Sequence, residues 1–135
     1  MYHGKPAGRL RFQPMDRLPE TLTACDASLV GIIPEVEGMC VSSKLYFALA
    51  AGRPILAVVG TGDEVARTVR KHNCGAYVRP GDAEAAAETL ARWADNTARS
   101  EDLGQQARSV FEANYTRSHA VEAYGHLFEQ MHDRS

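Results

Sequence analysis

Short apolar segments alternate with segments of helical periodicity along most of the chain. The apolar segments are rich in β-branched residues, whereas the segments between them repeat apolar positions every three or four residues. This alternation is typical of consecutive βα units, so we predict an α/β fold with a Rossmann-like parallel sheet flanked by helices. Strands are predicted at 27–33, 55–59 and 75–79, with an edge strand at 10–13. The run 27–33 is uniformly apolar, which indicates a central strand.

Capping and turn residues mark where the first helices should begin and end. These helices are predicted at 18–25, 42–51 and 64–72. Pro19 is suited to the first turn of the first helix. Either Ser42 or Ser43 can cap the second helix, and Gly52 can end it.

The last third of the chain is predicted to be entirely helical. Asp82 can cap the first of three helices there, and Ser100 can cap the second. Either Thr116 or Ser118 can cap the last helix. The positions expected to face inward are Ala86, Leu90 and Trp93 in the first of these helices, and Leu103, Ala107, Val110 and Phe111 in the second. The last helix should carry Val121, Tyr124, Phe128 and Met131 on one face.

Composition narrows the class of protein. The chain has 135 residues, of which 44% are hydrophobic, and this suits a single domain spanning 1–135. The formal charge is -2 and neither sign forms a long block, so nucleic acid is not an expected partner. The apolar run 55–59 is far shorter than the roughly 20 residues that cross a bilayer. We therefore expect a cytoplasmic chain.

The cysteines and histidines suggest no metal chemistry. Cys25, Cys40 and Cys74 are odd in number, form no CxxC pair and lie in or beside apolar segments. This pattern favours reduced, mostly buried thiols. The five histidines lack the spacing of a metal motif, so we expect neither a metal nor a cofactor.

The loop 35–44 is the first candidate site. In an open parallel sheet, ligands bind beyond the carboxyl ends of the strands, where loops lead into helices. The unpaired amides of the following helix, together with the hydroxyls of Ser42 and Ser43, can bind a diphosphate. Lys44 adds a positive charge at the same place. In the alternative interpretation, Ser43 only caps the helix and Lys44 is solvated.

A second loop, Gly60-Thr61-Gly62, does not form a dinucleotide-binding motif. Val65 occupies the place of the third glycine of that motif. We expect the glycines to let the backbone turn tightly beside the neighbouring loop, and Asp63 or Glu64 to complement the start of the next helix. A receiver domain is also excluded, because Asp26 precedes its strand instead of following it.

Three runs of sequence resemble one known family. They are 22–30, the run 42–57 with its Ser-Lys-Leu-Tyr start and its Ala-Ala-Gly-Arg-Pro step, and 74–82. Together they resemble the C-terminal, donor-binding domain of the group 1 glycosyltransferases, which have the GT-B fold. The branch that builds bacterial surface polysaccharides is the most similar. The resemblance covers nearly the whole chain from about Leu10.

This resemblance implies a glycosyltransferase that binds a nucleotide-diphosphate sugar, usually a UDP or GDP sugar. The sugar would pass to a glycan or lipid-linked acceptor held by an N-terminal domain, with retention of anomeric configuration and without an enzymic metal. The chain would then be the C-terminal half of a GT-B fold, truncated at its N-terminus. The full-length protein would lie in the cytoplasm, with peripheral association at the inner membrane face.

The resemblance also suggests roles for individual residues. Lys44 would stabilise charge on the departing diphosphate, and Glu37 is the second catalytic candidate. Relatives usually place a ribose-binding glutamate at the position of Phe47. The donor would be contacted by Gly38, Met39, Cys40, Val41, Ser42, Ser43 and Phe47.

Two alternatives follow from the same residues. Phe47, together with the expected absence of a front half, favours a module that binds a nucleotide or a partner without catalysing transfer. The apolar face of the last helix would cross toward the other domain in a full-length relative, or would mediate self-association of this shorter chain.

Overall fold

The chain folds around a three-stranded parallel sheet. The structure is a computed structural model that describes residue 8, residues 11–39 and residues 42–134. The strands are β1 (Ser28–Gly31), β2 (Ile55–Val58) and β3 (Gly75–Val78), in the order β1–β2–β3. The register places Ser28 beside Ile55, and Ile55 beside Gly75. The predicted α/β architecture with a parallel sheet is confirmed.

Helices follow each strand and fill the last third of the chain. They are α1 (Leu18–Thr23), α2 (Ser43–Ala51), α3 (Glu64–His72), α4 (Ala83–Asp95), α5 (Thr97–Asn114) and α6 (Arg117–His132). Single 3-10 turns precede α1 and follow β1. The predicted all-helical C-terminal third is therefore confirmed. Within the described ranges, no helix is both long enough and apolar enough to cross a membrane.

The strand positions correct two predictions. β1 lies at an edge of the described sheet, and Leu29 is 64% exposed, so the prediction of a central strand was wrong. The central strand is β2, because among the strands of the described ranges it alone pairs on both sides. An apolar run predicts burial, but the pairing partners decide which strand is central. The predicted edge strand at 10–13 is not formed over residues 11–13, and Leu10 lies outside the described residues.

The hydrophobic core lies on one face of the sheet. Alternate residues Ile55, Ala57 and Val59 point to this face, as expected for a strand with a side-chain period of two. They pack against α2, α3 and α5. The buried helical residues in this cluster are Leu45, Ala48, Leu49, Val65, Ala66, Val69, Ala107 and Val110.

Side-chain caps fix the starts of α3 and α4. An oxygen of Asp63 accepts a hydrogen bond from the Val65 amide at 2.8 Å, and Asp82 accepts one from the Ala85 amide at 3.0 Å. At the end of α2, Gly52 adopts the left-handed conformation with φ of 65°. These three boundaries match the sequence-based predictions.

Two predictions for α4 and α5 were wrong. Asn96, and not Ser100, caps α5, since its side-chain oxygen accepts from the Arg99 amide at 3.0 Å. Asparagine is as good a cap as serine, so the earlier of the two residues starts the helix. In α4 the buried residue is Thr89, while Leu90 is exposed and Trp93 is partly buried. Of the predicted inward stripe, Leu90 and Trp93 line a surface cavity and do not belong to the core cluster, while Ala86 is partly buried.

The last two helices differ in how they contact the core. Leu103, Ala107 and Val110 of α5 are buried, as predicted. No residue of α6 is buried. Thr116 caps α6 by accepting from the His119 amide, which agrees with the predicted cap.

Candidate functional site

The carboxyl ends of the three strands bring three loops to one edge of the sheet. The loop after β1 leads into α2, the loop after β2 into α3, and the loop after β3 into α4. We refer to this side of the sheet as the carboxyl edge. It is the side on which parallel α/β sheets bind their ligands.

Glu37 joins the first two of these loops. Its carboxylate lies directly on the backbone of Gly60, where a Cβ atom would overlap both carboxylate oxygens. A Cβ atom at Gly62 would lie 3.8 Å from Glu37 Oε1, which is ordinary contact. The absence of a side chain at position 60 thus allows the close approach. The loops are adjacent, as expected from the glycines at 60 and 62.

A tight turn carries the predicted donor contacts that follow Glu37. Gly38 has φ of 76°, in the left-handed region that favours glycine, and Met39 is exposed. The Met39 amide donates to the Val36 carbonyl oxygen at 3.1 Å. Cys40 and Val41 lie outside the described residues.

The start of α2 differs from the starts of α3 and α4. Ser42 is the N-cap residue, yet among the described residues no side chain accepts a hydrogen bond from the first-turn amides. Ser43 and Lys44 are exposed and Ser42 is partly buried, so α2 begins at the protein surface. Its unpaired amide groups therefore face the surroundings of the carboxyl edge.

Lys44 and Phe47 lie on the side of α2 that faces α1. They are three residues apart and line one groove, with a volume of about 480 Å³, between α1, β1 and α2. The groove is otherwise mainly apolar, with Met15, Leu18, Leu22 and Leu29 in its walls. Within the described part of the chain, no ion pair joins Lys44 to Glu37. Glu37 lies against the loop after β2, whereas Lys44 lines the groove beside α1.

An aromatic pair that was not predicted from the sequence lies beside this edge. The rings of Tyr46 and Tyr115 have centroids 5.0 Å apart and are tilted by 60°. Burial raises the pKa of Tyr115, and the nearby Tyr46 and Glu64 raise it further. Since Glu64 is the first residue of α3, the pair lies close to the carboxyl edge. Tyr115 comes from the α5–α6 junction, and no local pattern in the sequence indicated this contact.

A second cavity, of about 400 Å³, lies at the opposite ends of the strands. It is lined by Asp26, Arg53, Trp93 and Glu101, among others. The Arg53 guanidinium donates to the Thr23 carbonyl oxygen at 2.6 Å and so ties α1 to the segment before β2. Asp26 precedes β1 in the chain and Arg53 precedes β2, so the cavity lies away from the carboxyl edge. No group of three potential metal ligands occurs among residues 11–39 and 42–134.

The two cysteines that the structure describes, Cys25 and Cys74, agree with a structural role. Cys74 is buried in the core cluster, and burial raises the pKa of its thiol to about 11. Cys25 is partly buried, and its thiol donates to the Leu22 carbonyl oxygen. Both are free thiols.

These features define an α/β protein with a Rossmann-like parallel sheet and a candidate site at its carboxyl edge. The family model described as "Glycosyl transferases group 1" matches residues 9–110, which is well over half of the chain. The chain therefore belongs to the group 1 glycosyltransferases, and the resemblance seen in the sequence is confirmed.

The chain is also similar in sequence to a curated protein with a glycosyltransferase name. The chain is 36% identical over 105 residues to a probable glycosyltransferase, WbjE, of Pseudomonas aeruginosa. The aligned region covers 76% of this chain and 25% of that protein, so the chain spans about a quarter of the length of this curated relative. No solved structure matches the chain.

Proposed function

We propose that this chain is the donor-binding part of a glycosyltransferase that acts on a UDP or GDP sugar. The sugar passes to a glycan or a lipid-linked acceptor, which is held by another part of a longer transferase. Membership of the group 1 family supports sugar transfer. The observation that carries the donor assignment is the surface-exposed start of α2, whose first-turn amides have no side-chain cap among the described residues.

The start of α2 suits a pyrophosphate group. The amide groups of a helix start act like a partial positive charge, and the hydroxyls of Ser42 and Ser43 add hydrogen-bond donors. The exposed ammonium of Lys44 adds a full charge in the first turn. Together they stabilise the negative charge that grows on the departing diphosphate, which is the work of an electrostatic catalyst without a metal ion.

We propose that Glu37 contacts the donor from the side of the loop after β2. Its carboxylate rests on Gly60, so its position is set by the loop after the central strand. A retaining transfer in which the acceptor attacks from the leaving-group side needs no covalent nucleophile from this chain. We therefore propose for Glu37 a contact to the donor sugar, and for Gly38 and Met39 a place beside it.

The rival function is a module that binds nucleotide without transfer. Phe47 favours it, because the ring lines an apolar groove at the position where relatives usually carry a ribose-binding glutamate. Both functions require nucleotide binding, so they differ only in whether sugar is transferred.

In the full-length protein we propose a cytoplasmic location at the membrane face, and for this chain a second copy as the partner of α6.

Calorimetric titration of the chain with UDP, GDP and their sugars tests the donor site. A charge-assisted hydrogen bond is worth about 1.5–3 kcal/mol, so Lys44→Ala should weaken binding roughly 10- to 100-fold. Lys71→Ala is the matched control, because Lys71 is also exposed but lies in the last turn of α3. UMP should bind more weakly than UDP.

Two results would separate the possibilities. Equal affinities of wild type and Lys44→Ala for UDP and GDP sugars would show that the phosphate assignment is wrong. In a second experiment the chain is supplied with the rest of a transferase and with an acceptor. If it then binds the nucleotide sugar normally but forms no glycoside, the binding module is favoured.

A further inference from the structure

The cavity at the amino ends of the strands is not used by the proposed donor site. We call it the α4–α5 cavity, and its walls include Asp26, Arg53, Trp93 and Glu101. Its volume of about 400 Å³ lies within the range of roughly 300–1,000 Å³ that small-molecule sites occupy. The central strand has 4 residues, so about 13 Å separates this cavity from the carboxyl edge. A ligand in the cavity therefore does not touch the groups proposed for sugar transfer.

One wall of the α4–α5 cavity is apolar. Leu90 and Trp93 are three residues apart on α4, so their side chains share one face of that helix. Leu90 is 42% exposed and Trp93 is partly buried, and neither belongs to the core cluster. The face of an indole ring carries negative potential, which attracts the weakly positive C–H groups of a ring stacked on it. This wall suits a ligand with a flat apolar face.

The opposite wall carries hydrogen-bond acceptors. Asp26, before β1, and Glu101, in α5, are exposed carboxylates at the cavity. Within residues 11–39 and 42–134, neither carboxylate takes part in an ion pair or a side-chain hydrogen bond. Both can therefore accept hydrogen bonds from a ligand.

Arg53 adds hydrogen-bond donors to the same cavity. Its guanidinium donates to the Thr23 carbonyl oxygen, while its buried Nε has no acceptor in the described part of the chain. Buried polar groups in proteins are nearly always hydrogen-bonded, so an unpaired donor beside a cavity points to an acceptor that enters from outside. The cavity thus presents acceptors, donors and an aromatic face together.

This combination favours a neutral ligand with hydroxyl groups. An anion would be repelled by the carboxylates of Asp26 and Glu101. A cation would suit the carboxylates and the indole face, but an ammonium or guanidinium group offers no acceptor to Arg53. A hydroxyl group both donates and accepts, and a pyranose ring also has an apolar C–H face. A sugar ring therefore matches all three parts of the cavity.

We propose that the α4–α5 cavity binds a neutral saccharide. One sugar ring stacks on Trp93, and its hydroxyls bind Asp26, Glu101 and Arg53. The class of ligand follows from the cavity, whereas its source, the glycan that the longer transferase extends, rests on the proposed function. Because the cavity is remote from the carboxyl edge, it holds a part of the glycan away from the reacting end. Such a hold raises the effective concentration of the acceptor near the enzyme.

The indole N–H signal of Trp93 in NMR spectra reports on this cavity directly, because Trp93 is the only tryptophan of the chain. The ligands to be titrated are neutral trisaccharides of glucose, of mannose and of galactose. At least one of them should shift the signal, with a dissociation constant on the order of 1 mM.

A pair of variants on α5 tests the polar contacts. Glu101→Ala should weaken saccharide binding at least about tenfold, because a hydrogen bond to a charged group is lost. Asp102→Ala is the matched control, since Asp102 is also exposed and adjacent in the helix but lies outside the cavity. Circular dichroism should show the same helix content in both variants and in the wild type.

A further titration separates this cavity from the donor site. Lys44→Ala should bind the trisaccharide as the wild type does, although it should bind UDP more weakly. UDP should leave the Trp93 signal unchanged. Loss of UDP binding would thus count against the donor site alone, and loss of trisaccharide binding against the α4–α5 cavity alone.

Three results would overturn the proposal. The first is an unchanged Trp93 signal with every trisaccharide at about twenty times the predicted dissociation constant. The second is equal affinity of the wild type and Glu101→Ala. The third is tighter binding of arginine methyl ester than of any neutral trisaccharide, which would mean that the carboxylates select a cation.

Discussion

Two helical glycines differ in the space around them, and this difference tests how closely α5 packs against the α2–β2 turn. A Cβ atom at Gly104 would overlap the carbonyl oxygen of Gly52 and would lie 3.2 Å from its carbonyl carbon. At Gly125 of α6 the same atom would have no neighbour within 4 Å. We predict that Gly104→Ala destabilises the fold and that Gly125→Ala stabilises it.

The size of the effect follows from what can move. The obstacle at Gly104 is backbone at the α2–β2 turn, which cannot rotate away as a side chain would. Added volume in a packed interior costs about 1–3 kcal/mol, and we expect the upper end here. Alanine recovers about 1 kcal/mol by its better helix propensity, so the net loss is about 2 kcal/mol. At Gly125 only the gain remains, about 0.5–1 kcal/mol.

Urea unfolding followed by circular dichroism measures both changes. The midpoint should fall for Gly104→Ala and rise for Gly125→Ala, with similar slopes if the compactness of the states is unchanged. Measurement at low protein concentration removes any contribution from association through α6. Equal gains for both variants would refute the close approach of α5 to Gly52.

Two further predictions concern a cap and a thiol. Asp63→Ala should cost about 1 kcal/mol of stability, because it removes the hydrogen bond from the Val65 amide. Ser42→Ala should cost little, because Ser42 makes no side-chain cap bond. Thermal unfolding measures the stability of both variants. Burial raises the pKa of the Cys74 thiol from its ordinary value of 9.0 to about 11, so its contribution to stability is complete below pH 9 and is lost as the pH rises toward 11. Alkylation followed by peptide mapping should therefore label Cys74 more slowly than Cys25 at pH 8, and equal rates would contradict its burial.

Local signals were sufficient for most of the fold. The α3 boundaries, the caps Asp63 and Asp82 and the Gly52 stop were predictable because each depends on residues within one turn. The edge position of β1 was not predictable, since it depends on which strands pair with it. The start of α5 was misplaced because Asn96 and Ser100 are chemically equivalent caps.

The candidate site was predictable in composition and not in geometry. The sequence placed Glu37, Ser43 and Lys44 in one loop at the end of a strand, and the structure puts all three near the carboxyl edge. The sequence could not show that the Glu37 carboxylate contacts Gly60, or that Tyr115, at the α5–α6 junction, contacts Tyr46. Both contacts depend on packing between elements far apart in the chain.

The separation of Glu37 from Lys44 leads to a last prediction. The Glu37 carboxylate contacts the loop after β2, and Lys44 lines the groove beside α1. A donor that contacts both residues must therefore lie across the start of α2. Gly60→Ala should push the carboxylate aside at little cost in stability, because the obstacle is the end of a flexible side chain. Donor binding should nevertheless weaken, while Gly62→Ala, with its ordinary 3.8 Å contact, should bind as wild type does.

Because the two groups share no partner, the binding losses of Gly60→Ala and Lys44→Ala should add within about 0.5 kcal/mol in the double variant. Titration calorimetry of the four proteins measures this sum. A double variant no weaker than Lys44→Ala alone would mean that Glu37 does not contact the donor independently of the phosphates, and the placement of the donor across α2 would then be wrong.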